Sequence, residues 1–528
     1  MPSIPSLAPV YFWLAGFVCL SACYFIAKGR IRTFAVNALL IVATAFVATN
    51  LLNFAGERAS KSSASASILD ADKAELSLKL SQALKGAERF MYVPNVGPKN
   101  HLERFKQMRN QNEMNAHAQV NQLIAQAQKI LDQVVQNNPA AAIVETKYAI
   151  VTHELEEPNT VSIDRLDHID KAEAHQLARA LKYIYAPGKP AAAQTQEAEQ
   201  TFKTYLPNGY YRETVLLSLY HKAGMRAAFD DLQTQIDNKS FVLLVKIVCL
   251  FVFIGLSVLV GLVVIVGHFF FLPRSPSEEE LAQVRSPVRF GAKTIFAVFI
   301  AWQATQLLLG MLLQASGWHL AKSGQNPLTM ALVTAGFYII SNGPALLYIY
   351  LIALKPHGLK FFESVKLRTK VGRVGVRRMI LFGFLTWISA FPVVIALFLI
   401  AQRFFNSEGS SNPIIGIVAE AARNADAPAV ITFYLTLGVL APLCEETLFR
   451  GFLYTSLRQY WGILPCLLVT AGIFAAVHMD MGGFLPLFGL GFMFGYILER
   501  TKSIVPSMIA HGLWNSGTFT VCLLLFGN

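Results

Sequence analysis

The sequence predicts an all-α integral membrane protein, a multi-pass bundle of about ten spanning helices with a helical extracytoplasmic domain inserted after the second. Three observations predict it. Hydrophobic residues make up 54% of the 528 and charged residues only 15%, with a mean hydropathy of +0.44. Ten stretches contain no Lys, Arg, Asp or Glu: 1–27, 33–56, 247–273, 294–321, 325–354, 379–402, 427–444, 459–477, 481–498 and 503–528. Each is close to or above the ~20 residues that a helix needs to cross a bilayer. Charge is also sorted by side: with alternating spans, 19 of the 23 basic residues outside 57–239 fall on one face. The positive-inside rule makes that face cytoplasmic, in what reads as a cell (inner) membrane, and puts both termini and 57–239 outside.

Residues 1–56 supply the first two spans, joined by a short basic loop with Lys28, Arg30 and Arg32. No basic n-region precedes the first run, so it reads as a spanning helix rather than a cleaved signal.

Residues 57–239 have another composition, rich in Ala, Gln and Asn, with 22 basic against 22 acidic residues. The whole net charge of +12 therefore lies in the membrane part, where it reads as topology; no nucleic-acid partner is implied. Val120, Leu123, Ile124, Ala127, Ile130, Leu131 and Val134 recur at helical spacing and form one apolar stripe. Pro187-Gly188-Lys189-Pro190 marks a loop, and Gly224 a junction between two helices. His153-Glu154 starts like a zinc-protease helix, but position 157 is Glu157 and the second histidine is missing. All six cysteines lie in or beside apolar runs, so no disulfide framework is expected in this domain. It reads as a soluble helical domain for an extracytoplasmic partner that the sequence does not identify.

Residues 240–378 hold three spans and basic loops; the block from Lys355 to Arg378 has eight basic residues and one acid. Residues 379–528 hold the last spans and the polar groups that need explaining. A charged side chain is costly in lipid and marks a functional site by default. Glu445 and Glu446 nevertheless close an apolar run, followed by Arg450. Glu446 and Arg450 are four apart with the acid first, the favourable order for a helical pair. Glu445, about 100° round the helix, is free to act as a general base. Phe474 and His478 form a second pair one helical turn apart, and His511 and Asn515 a third. A carboxylate and an imidazole can deprotonate water, while a second imidazole and an amide can donate to a developing oxyanion. The same Glu445, His478 and His511 can equally be read as a two-histidine, one-carboxylate zinc site with an open position. A metal-free centre that needs no cofactor is the preferred expectation.

The order EExxxR, FxxxH, HxxxN on consecutive apolar helices resembles the CPBP family, over about residues 380–525. That family comprises the type II CAAX prenyl endopeptidases and the related bacteriocin-processing and self-immunity (Abi) proteins. The resemblance implies an intramembrane endopeptidase acting on a membrane protein or a lipidated peptide within the lipid bilayer. It further implies that Glu445 and His478 activate water and that His511 and Asn515 steady the oxyanion. Glu446 and Arg450 would then orient the site, with Phe474 packed beside it. The competing reading is a catalytically inactive membrane scaffold or immunity factor of the same fold. A transporter using the same groups as a proton relay lacks an inverted repeat.

One geometric difficulty accompanies this reading. If the Glu445 helix ends near residue 444, His478 sits near the opposite membrane face. The two meet only if the Glu445 helix continues inward through residues 447–460, or if the His478 helix tilts or breaks. A cavity opening toward the cytoplasm is expected.

Overall fold

Helices account for the regular structure, and no strand occurs among the described residues. The structure, a computed structural model, describes residues 74–83, 120–136 and 142–526, with breaks at 76, 133, 155–159, 272–282, 316–325, 372–374, 406–426, 479 and 481. The first two expected spans, 1–27 and 33–56, lie outside the described residues. Two compact units emerge, one of Arg58–Phe251 and one that takes in Val252–Asn528.

The first unit contains α1 (Ala142–Glu154), α2 (Thr160–Asp167), α3 (Ala172–Tyr185), α4 (Ala192–Tyr205) and α5 (Tyr210–Ala223). Consecutive helices pack on one another. Of the apolar stripe, Val120, Ile124, Ala127, Leu131 and Val134 are buried, and all but Val134 join the core formed with Leu177, Leu181, Phe202, Val215 and Leu219. Gly224 caps α5 in the left-handed conformation, φ 73°, which glycine adopts without a Cβ clash. The next helix, α6 (Arg226–Phe271), begins two residues later. His153 stacks flat on Tyr185 at 3.7 Å, a packing role in line with its incomplete motif.

The second unit is built from α7 (Ala292–Ala315), α8 (Pro327–Tyr348), α9 (Phe361–Ser364), α10 (Val376–Phe405), α11 (Ala427–Leu457), α12 (Ile463–Val477), α13 (Phe484–Thr501) and α14 (Val505–Phe526). Among the described residues six helices are long and apolar enough to cross a membrane: α6, α7, α8, α10, α11 and α14. Two more of the expected spans are the shorter α12 and α13, of 15 and 18 residues. The chain is an all-α, multi-pass membrane protein.

The difficulty over the Glu445 helix is resolved by α11. It does not stop at 444 but runs 31 residues to Leu457, so Glu445 lies within its length. Two π turns interrupt it, Thr436–Leu440 and Thr447–Tyr454, one on either side of the glutamates. Such turns shift the side-chain register and concentrate at functional sites. Residues 447–454 are all buried in protein, which is how Arg450 is tolerated at this depth.

Small residues set the helix spacing, as expected where lipid supplies no hydrophobic drive between helices. Gly491 and Gly495 on α13 face α12: a Cβ on Gly491 would stand 3.0 Å from the Cα of Ala471, and one on Gly495 2.8 Å from Leu467. The tightest approach joins α11 to α14, where a Cβ on Gly512 would lie 2.3 Å from the carbonyl oxygen of Gly438. The Gly512→Ala variant is expected to lose about 1–3 kcal/mol by overpacking, or more if the backbones separate. Its unfolding midpoint in detergent, followed by circular dichroism, checks this; an unchanged midpoint contradicts it.

Candidate active site

The polar residues of α11 divide their work by helix face. Glu446 is fully buried, and its Oε1 accepts from Arg450 Nη1 at 2.9 Å and from His511 Nδ1 at 2.8 Å. Arg450 donates its second nitrogen, Nη2, to the carbonyl of Gly491 at 3.0 Å. Its guanidinium also lies 4.3 Å above the ring of Phe474 and 5.2 Å from that of Phe494. The pair expected from the four-residue spacing thus forms, and it ties α11 to α13 and α14. Charge-assisted bonds of this kind are about twice as strong as neutral ones.

Glu445 points elsewhere. Its Oε1 accepts from the hydroxyl of Tyr338 at 2.8 Å, while its Oε2 is buried and has no hydrogen-bond partner among the described residues. That free oxygen stands 4.0 Å from His478 Nε2 and 3.9 Å from His511 Nε2. Glu445, His478 and His511 therefore converge on one point from three helices.

Each imidazole is held by its other nitrogen. His478 follows the last residue of α12, where its Nδ1 donates to the carbonyl of Phe474 at 2.7 Å. His511 donates from Nδ1 to Glu446 and stacks on Phe494 at 5.1 Å. A carbonyl or carboxylate can only accept, so Nδ1 carries the proton in both rings. In the neutral rings each Nε2 is then a lone pair aimed toward Glu445 Oε2. A His511 ring protonated on both nitrogens presents Nε2–H as a donor instead. Phe474 packs between these groups, its ring 4.8 Å from that of His478 and 5.9 Å from that of His511.

Asn515 sits one turn after His511, but its amide donates to the carbonyl of Leu437 at 3.0 Å. That carbonyl lies in the first π turn, five residues before Pro442. Proline has no N–H to return, so the helix leaves a carbonyl unpaired there, and Asn515 supplies the donor. Among the described residues its amide forms this hydrogen bond and none with Glu445, His478 or His511.

Tyr338 was not anticipated from the sequence. The only signal was a run of polar residues inside an apolar helix: Tyr338, Ser341 and Asn342 on α8. A buried network below the site, in which Tyr454 (2.7 Å) and Arg458 both donate to Glu499, was equally unforeseen.

The donor types are ones that zinc takes. Two ligands held tetrahedrally at about 2.0–2.1 Å from zinc lie about 3.4 Å apart, less than the 3.9 and 4.0 Å found here. Among the described residues no group of three or more His, Cys, Asp or Glu is arranged to hold a metal ion. Two groups 4 Å apart can instead share one water, each at about 2.8 Å from its oxygen.

Comparisons with known proteins bear on the same segment. Residues 427–517 match the family model described as Rce1-like, type II CAAX prenyl endopeptidase. A protein of Bacillus subtilis (strain 168) named "Putative membrane peptidase YdiL" is 30% identical over 97 residues. Those residues are 18% of this chain and 39% of the relative. No solved structure matches. The CPBP resemblance carried by the three motifs is thereby shown for this segment, which includes Glu445, Glu446, Arg450, Phe474, His478, His511 and Asn515 but not Tyr338.

Proposed function

We propose that the chain is an intramembrane endopeptidase that hydrolyses peptide bonds of membrane-associated proteins or lipidated peptides, without a metal. The observation that carries this reading is the unpartnered Oε2 of Glu445, set 4.0 and 3.9 Å from two imidazole nitrogens inside a lipid-embedded bundle. A water bound there loses a proton to Glu445 Oε2, with His478 Nε2 as its second acceptor, as its oxygen bonds to the scissile carbonyl carbon. The resulting oxyanion is met by Nε2–H of a protonated His511, whose charge Glu446 balances. As the C–N bond breaks, the proton held by Glu445 passes to the leaving amine. Asn515 serves this site by holding α14 against α11, and Arg450 by holding Glu446.

The same reading places the basic face in the cytoplasm of a cell (inner) membrane, with the 57–239 domain outside and facing a partner there. Glu445 is twelve residues from the end of α11, about 18 Å at 1.5 Å per residue. On that topology this is the cytoplasmic end, and the site opens in that direction.

Comparative membrane proteomics of a Glu445→Ala strain tests the activity. Proteins that remain at their untrimmed length are expected, and an unchanged set of membrane-protein termini favours the inactive scaffold instead. Chelator treatment tests the chemistry: protein shown by elemental analysis to be metal-free is expected to keep its cleavage rate. Loss of activity that added zinc restores overturns the metal-free mechanism.

A further inference from the structure

We propose that Tyr338 is a positioning residue of the hydrolytic centre, selecting which oxygen of Glu445 faces the water; this rests on the peptidase reading above. A carboxylate is two-fold about its last torsion, so either oxygen of a free Glu445 can face the histidines, and its plane can swing. The Tyr338 hydroxyl occupies Oε1 at 2.8 Å and removes that freedom. What is left is Oε2, the atom without a partner that lies between His478 and His511.

The helical turn that carries Tyr338 is itself held, through the backbone carbonyl of Tyr338. One turn along α8, Asn342 accepts from Gln306 of α7 at 2.9 Å and donates to Ser341 Oγ at 3.0 Å. Ser341 Oγ in turn donates to the carbonyl of Tyr338 at 3.2 Å. Polar contacts therefore tie α7 to the turn of α8 from which the Tyr338 hydroxyl reaches the carboxylate on α11. In an apolar span, a tyrosine kept only for packing has no reason to aim its hydroxyl at a buried carboxylate. Tyr338 precedes the segment matched by the family model, so helices outside that segment contribute to the centre.

The test uses the full-length chain in lipid nanodiscs and, as probe, an internally quenched, lipid-anchored peptide that the unaltered protein cleaves. In Tyr338→Phe the ring stays and the donor goes. Misplacing a reacting group by about 1 Å can lower turnover by about 100-fold, so kcat is expected to fall by about 10- to 100-fold. KM is expected to stay the same, because the phenol acts through Glu445 Oε1. Glu445→Gln is run beside it. An unaltered kcat in Tyr338→Phe, with Glu445→Gln inactive, overturns the positioning role and leaves the peptidase reading standing. Full cleavage by Glu445→Gln overturns the peptidase reading itself. Asn342→Leu separates positioning from stability, because it loosens the same turn but keeps the phenol. If both variants lose kcat only in proportion to their unfolding midpoints, Tyr338 is structural; a kcat loss confined to Tyr338→Phe at equal midpoints supports the proposal.

Discussion

Replacing Glu445 with glutamine is expected to lower cleavage by about 10²–10⁴-fold, the usual contribution of a positioned general base. The fold should survive. Glutamine keeps the side-chain shape, and its carbonyl oxygen can still accept from the Tyr338 hydroxyl, now 2.8 Å from Oε1. Its uncharged amide removes a buried carboxylate whose Oε2 has no hydrogen-bond partner among the described residues, and the unfolding midpoint should match or exceed that of the native protein. That pattern, lost turnover with retained or higher stability, is the one expected where a strained polar site is kept for function. Alanine at His478 should lose activity similarly, since its Nε2 is the second acceptor for the same water. Cleavage at the native rate by both variants contradicts the assignment.

The largest effect on stability is expected from Arg450. Arg450→Met leaves Glu446 buried with only His511 to balance it, and strips the donor from the Gly491 carbonyl. Breaking one partner of a buried pair typically costs about 3–5 kcal/mol. Much of that penalty belongs to the stranded charge rather than to the lost attraction. Replacing both partners, as in Glu446→Leu with Arg450→Met, is therefore expected to recover most of the stability. It should not recover cleavage, because His511 Nδ1 then has no carboxylate and its ring loses orientation and charge support. Urea unfolding in detergent, measured beside turnover for the two variants, separates these contributions. A double variant less stable than Arg450→Met contradicts this account of the pair.

Local periodicity carried a great deal of the molecule. Charge-free runs identified the membrane class, because a bilayer excludes charge over a fixed length regardless of which helix packs on which. The stripe from Val120 to Val134 located a buried face, since residues three and four apart share a side of any helix. The EExxxR spacing predicted the Glu446–Arg450 contact for the same reason: both ends lie on one helix, one turn apart.

Less legible were helix ends and the partners of single polar groups: the sequence left open whether the Glu445 helix continues inward or the His478 helix tilts, and the structure shows the first. The 427–444 run ends at a charge, yet α11 continues to Leu457, because Arg450 and its neighbours are enclosed by protein rather than lipid. Asn515 lies on the expected turn, but its partner was decided by a carbonyl left open near Pro442 on another helix.

The sequence by itself determined that this is a multi-pass helical chain with a polar triad of motifs in its last helices. Only the tertiary structure decided that Glu445 Oε2 meets His478 and His511, that Glu446 belongs to His511, and that Tyr338 reaches in from 107 residues away. The reason is physical: helical spacing is a property of the backbone and is written locally. Which apolar helices touch in lipid depends on close approach at small residues, such as Gly438 against Gly512, and no period in the chain records it.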